Sequence, residues 1–115
     1  MLALFYVNVT FMTNYKEENK YLEDCLSKSA DGDIEAFEAL YNKTKGVVYN
    51  VALSYVKNAH DAEDIMHDVY IKVFEKAGEY VALGKPYAWI LTITKTIAIK
   101  WIRVNQKIIN YITEE

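Results

Sequence analysis

The chain has a single cysteine, Cys25, and a single proline, Pro86, among 115 residues. One thiol cannot close an internal disulfide, which excludes a disulfide-stapled secreted scaffold and points to a reducing cytoplasm. Four glycines and one proline are too few for a collagen, a flexible linker or a turn-rich β sandwich. The longest apolar run, residues 1–12 (MLALFYVNVTFM), is interrupted by Asn8 and Thr10. It falls short of the about 20 residues that a membrane-spanning helix needs. It also lacks the basic flank and small-residue cleavage site of a secretory signal. Internal repeats, low-complexity tracts, a Gly-rich phosphate loop and a Ser/His/Asp set are all missing. What is present is 52% hydrophobic and 25% charged, the ordinary balance of one globular domain.

Charge is distributed unevenly. The net value is -3, yet residues 1–83 carry fourteen acids against eight Lys and Arg. Residues 84–113 carry Lys85, Lys95, Lys100, Arg103 and Lys107 with no acid at all. An acidic body with a basic C-terminal segment suggests two surfaces for two kinds of partner, the basic one facing a polyanion. The plain alternative is a lysine-rich solvated helix face.

Hydrophobic periodicity reads as helix almost throughout, and the fold class expected is all-α, a small bundle of about four helices. A first helix is expected over 17–29, with Tyr21, Leu22, Cys25 and Leu26 inward. Gly32 suits its left-handed end, and Asp33 can cap a second helix over 34–56. Phe37, Leu40, Tyr41, Val48, Val51, Ala52 and Tyr55 form the core stripe of that helix. Asn58 or Asp61 can cap a third helix ending near Gly78, which turns Ile65, Val69, Val73 and Phe74 inward. Residues 78–86 (GEYVALGKP) are a loop, and Pro86 suits the first turn of a fourth helix over 86–109. On that helix Thr92, Lys95, Thr96, Ile99, Lys100, Arg103, Gln106 and Lys107 fall within an arc of about 140°. Ile90, Ile93, Ile97, Ala98, Trp101, Ile102, Val104 and Ile108 lie opposite, so the helix is amphipathic with a basic stripe. Trp89 and Trp101 are both assigned to the core.

Three stretches, 31–41 (DGDIEAFEALY), 61–74 (DAEDIMHDVYIKVF) and 86–103 (PYAWILTITKTIAIKWIR), carry a resemblance in their order and spacing. Together they resemble region 2 of the sigma-70 family of bacterial RNA polymerase sigma factors, within the extracytoplasmic-function (ECF) group. The resemblance implies a cytoplasmic transcription initiation factor that is not an enzyme and needs no cofactor or metal. It further implies that Asp64, His67, Asp68 and Ile71 dock on the clamp helices of the largest subunit of core RNA polymerase. Their offsets of 3, 4 and 7 place them on one helical face. Without the resemblance, an acid-rich first turn favoured by the helix dipole would explain these residues equally well.

The resemblance also implies contact with promoter DNA, through the non-template strand of the -10 element. Lys85, Lys95, Lys100, Arg103 and Lys107 suit phosphate contacts. Tyr80, Tyr87, Thr92 and Thr96 would stack on and hydrogen-bond a base flipped into a pocket beside the 78–86 loop. An anti-sigma protein is a further implied partner, and a membrane is not. Thr96 and Lys100 depart from the Asn and Asp common in the family, and the arginine run that often follows is thinned, which lowers the expected DNA affinity.

The domain division expected is an N-terminal extension over 1–14, with Met12 an alternative start, and a region 2 domain over 15–110. Residues 111–115 would begin a linker, with region 4 absent. Two rival readings stand beside this one. A helical module could bind a protein and no DNA, or His60, Asp64, His67 and Asp68 could hold a hydrolytic metal.

Overall fold

The computed structural model describes the backbone of residues 2–114 and the side chains of residues 14–114. Most of the expected extension over 1–14 lies outside the described side chains. Four helices follow one another: α1 (Leu2–Ala30), α2 (Ile34–Val56), α3 (Ala59–Lys76) and α4 (Pro86–Glu114), with a 3-10 turn over Ala77–Glu79. The all-α bundle expected from periodicity is the fold observed.

Local chemistry sets the boundaries. At the end of α1 the Asp33 N–H donates to the Lys28 carbonyl and the Gly32 N–H to that of Ser29. This closes a Schellman motif around Gly32, whose φ of +88° requires a residue free of a Cβ clash. The Asp33 side chain then accepts the Ala36 N–H at 3.1 Å and caps α2. Of the two candidate caps of α3, Asn58 is the one used, accepting the Asp61 N–H at 3.0 Å. Pro86 opens α4, where its missing N–H costs nothing.

The core lies where α2 packs against all three other helices. Leu22 and Leu26 of α1, Leu40 and Val48 of α2, Ile65, Val69 and Val73 of α3, and Ile90 of α4 are fully buried. The buried threonine hydroxyls donate within their own helices. Thr44 donates to the Leu40 carbonyl at 2.8 Å and Thr94 to that of Ile90 at 3.0 Å.

Several expected core positions prove exposed. Tyr21 is 49% and Phe74 40% exposed. Tyr21 lies about 100° around α1 from Leu22, off the stripe that meets the bundle. Phe74 lies at the α2–α3 seam, edge-on to Phe37 at 5.1 Å. Ile102, Val104 and Ile108 are 39–53% exposed, because α4 runs past the bundle to Glu114 and nothing described covers its apolar side there.

The Thr44–Tyr70 contact, 2.6 Å between hydroxyls, links α2 to α3 inside the core. Thr44 spends its one proton on the Leu40 carbonyl, so Tyr70 is the donor. Burial pushes the Tyr70 hydroxyl up to about 12. Thr44→Val therefore strands a buried O–H donor and is expected to cost about 1–3 kcal/mol, whereas Tyr70→Phe strands no donor and costs less. Urea denaturation of the two variants checks the order.

Candidate functional site

Two surfaces carry the residues singled out from the sequence. The first is the outward side of α3. Its core face is Ala62, Ile65, Met66, Val69, Tyr70 and Val73. With that face fixed, Asp64, His67, Asp68 and Ile71 stand together on the side that meets solvent. Ile71 is 59% exposed, and it forms the crest between two apolar grooves. The groove toward α2 has a cavity of about 670 Å³, lined by Ile34, Phe37, Tyr41 and Phe74, with His67 and Ile71 along its edge. The groove toward α4 has a cavity of about 510 Å³ and includes Asp68, Ile97, Lys100 and Trp101. The strip is thus an acidic and apolar ridge between two apolar troughs. Sequence periodicity finds the ridge but not the troughs, which need two helices each.

Its electrostatic partners are few. Among the described residues Asp64 pairs only with His60, at 3.5 Å, where the imidazole is largely solvated and the carboxylate half-buried. His60, Asp61 and Asp64 can each place one ligand atom within 4.8 Å of the others. His67 and Asp68 stand apart from that group, since seven residues separate His60 from His67 and two helical turns span about 10 Å. The four residues of the hydrolase reading therefore do not converge.

The second surface comprises α4 and the loop before it. Lys95, Lys100, Arg103 and Lys107 are exposed along one side of the helix, and none forms an ion pair among the described residues. Thr92 and Thr96 share that side. Each donates its hydroxyl proton to the carbonyl one turn back, Ala88 and Thr92 respectively. Their oxygens remain free as acceptors only.

Beside this row, the loop and the first turns of α4 border an open cavity of about 320 Å³, lined by Tyr80, Leu83, Lys85, Ala88, Trp89 and Thr92, with Glu79 and Val81 at the loop side. Two expected base-pocket residues, Tyr80 and Thr92, are thus brought together, with Lys85 beside them. Trp89 joins them: it is half-buried, edge-on to Tyr80 at 5.4 Å, and offers an aromatic wall. It also packs against the core, as expected. Trp101 is also half-buried, with its indole Nε1 shielded and without an acceptor among the described residues. Tyr87 and Thr96 do not line the cavity. Tyr87 turns toward α1 and donates to Glu18 Oε1 at 3.0 Å. Burial and that bond push its hydroxyl up to about 12.

Sequence reasoning misses what holds the loop. Tyr80 donates to Glu23 Oε2 at 2.6 Å, and the same oxygen accepts the Gly84 N–H at 3.0 Å. Asn19, one turn before Glu23 on α1, donates from Nδ2 to the Gly84 carbonyl at 3.1 Å. Burial and the Glu23 carboxylate push the Tyr80 hydroxyl up to about 12, so it stays a neutral donor at any physiological pH.

The profile of the family described as Sigma-70 region 2 matches residues 40–108. Curated relatives include the ECF RNA polymerase sigma factor SigK of Mycobacterium sp. strain KMS, 32% identical over 71% of this chain and 43% of that protein. The protein of the same name from Mycolicibacterium vanbaalenii is 30% identical over 74% of this chain and 44% of its own length. Its counterpart from Mycobacterium ulcerans is 29% identical over 83% and 51%. The chain spans about half the length of the curated relatives it matches. No solved structure gives a significant match.

Proposed function

Since the chain belongs to the sigma-70 region 2 family, we propose that it binds core RNA polymerase through the α3 ridge and the promoter -10 element through α4 and its preceding loop. In this reading residues 15–110 are the working domain. Asp64, His67, Asp68 and Ile71 meet the clamp helices of the largest subunit, a helical partner with basic and apolar side chains. Lys85, Lys95, Lys100, Arg103 and Lys107 bind phosphates of the displaced non-template strand. Tyr80, Thr92 and Trp89 receive one flipped base, with Tyr87 and Thr96 flanking. The chain carries out no chemistry itself; its work is to place polymerase and melted promoter together. An anti-sigma protein would act by covering either surface. No described helix is long and apolar enough to cross a membrane, which fits work beside polymerase in the cytoplasm.

One observation carries the reading. Four unpaired cations lie in a row that leads to a cavity walled by two aromatic rings and a hydroxyl. A solvated lysine face has no need of such a cavity, whereas single-strand binding needs both a phosphate track and a stacking surface. The test is co-sedimentation of the chain with core RNA polymerase, followed by titration of the complex with single-stranded and duplex oligonucleotides. Binding of polymerase and preference for the single strand are expected. A folded chain that binds polymerase and no DNA would leave the protein-binding helical module as the better account.

A further inference from the structure

The 78–86 loop takes part of its shape from bonds near in sequence, the Tyr80 N–H to the Ala77 carbonyl and the Trp89 N–H to the Lys85 carbonyl. Among the described residues its long-range backbone ties are both at Gly84, and both come from α1. Gly84 has a φ of +73°, in the left-handed region, so its peptide groups point where an ordinary extended loop would not send them. Asn19 and Glu23 are four residues apart and stack on one face of α1. They grip Gly84 from both sides, the amide at its carbonyl and the carboxylate at its N–H. Glu23 Oε2 at the same time takes the Tyr80 hydroxyl, and Tyr80 is a wall of the cavity. One carboxylate oxygen therefore fixes both ends of the segment that borders the cavity, while neither Asn19 nor Glu23 lines it.

The charge of Glu23 runs against the task of the surface beside it. A carboxylate next to a phosphate track weakens polyanion binding. Its position is explained by the two hydrogen bonds instead, because an ionised acceptor forms bonds roughly twice as strong as a neutral one. Asn19 points the same way: it is 5% exposed and leaves its Oδ1 without a partner among the described residues while spending Nδ2 on Gly84.

We propose that Glu23, assisted by Asn19, is a positioning residue that presets the 78–86 loop, so that α1 governs the base discrimination of a cavity it does not line. This rests on the DNA reading of α4 given above. The family match begins at residue 40, so the residues that would set this discrimination precede it.

The test uses the full chain, Glu23→Ala and Glu23→Gln. Amide exchange at Gly84, read by NMR, reports the latch without DNA. A pool of randomised single-stranded oligonucleotides, selected on each protein and sequenced, reports discrimination. In Glu23→Ala, Gly84 exchange is expected to rise about tenfold and the preference at one base position to fall about tenfold, with the salt slope of binding unchanged. Glu23→Gln, whose amide oxygen can still accept, is expected to recover most of the preference. Equal thermal melting and equal polymerase binding of all three proteins exclude a general loss of fold. The proposal is overturned if Glu23→Ala keeps the wild-type preference. It is equally overturned if Glu23→Ala tightens binding to every sequence alike with a steeper salt slope, for Glu23 would then act as charge alone. A wild-type chain that binds no DNA rejects the reading of α4 itself, and the discrimination role with it, even where Gly84 exchange still reports the latch.

Discussion

Reversing Asp64 and Asp68 together, to Asp64→Lys/Asp68→Lys, is expected to weaken binding to core RNA polymerase at least about a hundredfold. Two like-charge juxtapositions against a basic helix cost several kcal/mol, and 1.4 kcal/mol is a factor of ten. The variant should remain folded. Asp68 is exposed, and among the described residues Asp64 is bonded only to His60, itself largely solvated. Asp64 lies in the second turn of α3, beyond the main reach of the helix N-terminal field, so the loss left is a surface ion pair worth about 0–1 kcal/mol. Circular dichroism should therefore overlay the wild type. Titration of labelled protein with core polymerase reads the affinity, and DNA binding by the isolated chain serves as the internal control. Retention of polymerase affinity would remove α3 from the interface. Loss of polymerase and DNA binding together would contradict two separate surfaces.

The position of that ridge was legible because both of its determinants are local. Asn58 starts the helix, and the period of Ile65, Val69 and Val73 fixes which side turns inward, so the outward side follows. The same holds for α2, where the Asp31-Gly32-Asp33 turn and the Leu40, Val48, Ala52 stripe define start and face. What local pattern cannot supply is the reach of a neighbour. Ile102, Val104 and Ile108 continue the apolar side of α4 without interruption, but burial ends where the other helices end. Phe74 obeys the helical period too, and its exposure reflects a gap between α2 and α3 rather than any error of phase.

The loop contacts were hidden for a different reason. Glu18, Asn19 and Glu23 lie 57–69 residues from their partners in sequence. A polar residue on an amphipathic helix is ordinarily a solvated one, so nothing in its surroundings marks such a partner. Tyr87 illustrates the cost. Its place in the first turn of α4 made it look available to a base, yet its hydroxyl is engaged by Glu18.

Neutralising Lys95, Lys100 and Arg103 to glutamine is expected to give the converse phenotype, with DNA affinity lost and polymerase affinity kept. Each phosphate contact on a single strand adds about 0.7 to the slope of log affinity against log salt. Three losses should lower that slope by about two, which amounts to about a hundredfold in affinity at 0.1 M salt relative to 1 M. The three side chains are exposed and unpaired, so their removal leaves no buried charge behind and surface substitutions of this kind move stability little. Sequence preference is the sharper readout. Lysine and arginine on phosphates position the strand and carry no base information, so the surviving weak binding should keep the preference of the wild type. Thr92 and Trp89, which face the cavity, should behave oppositely: Trp89→Ala removes a stacking wall worth about 1–3 kcal/mol and leaves the salt slope intact. Fluorescence anisotropy across a salt series separates the two classes in one experiment. If the triple variant kept the wild-type slope, the row on α4 would be a solvated face, and the phosphate track would have to lie elsewhere on the bundle.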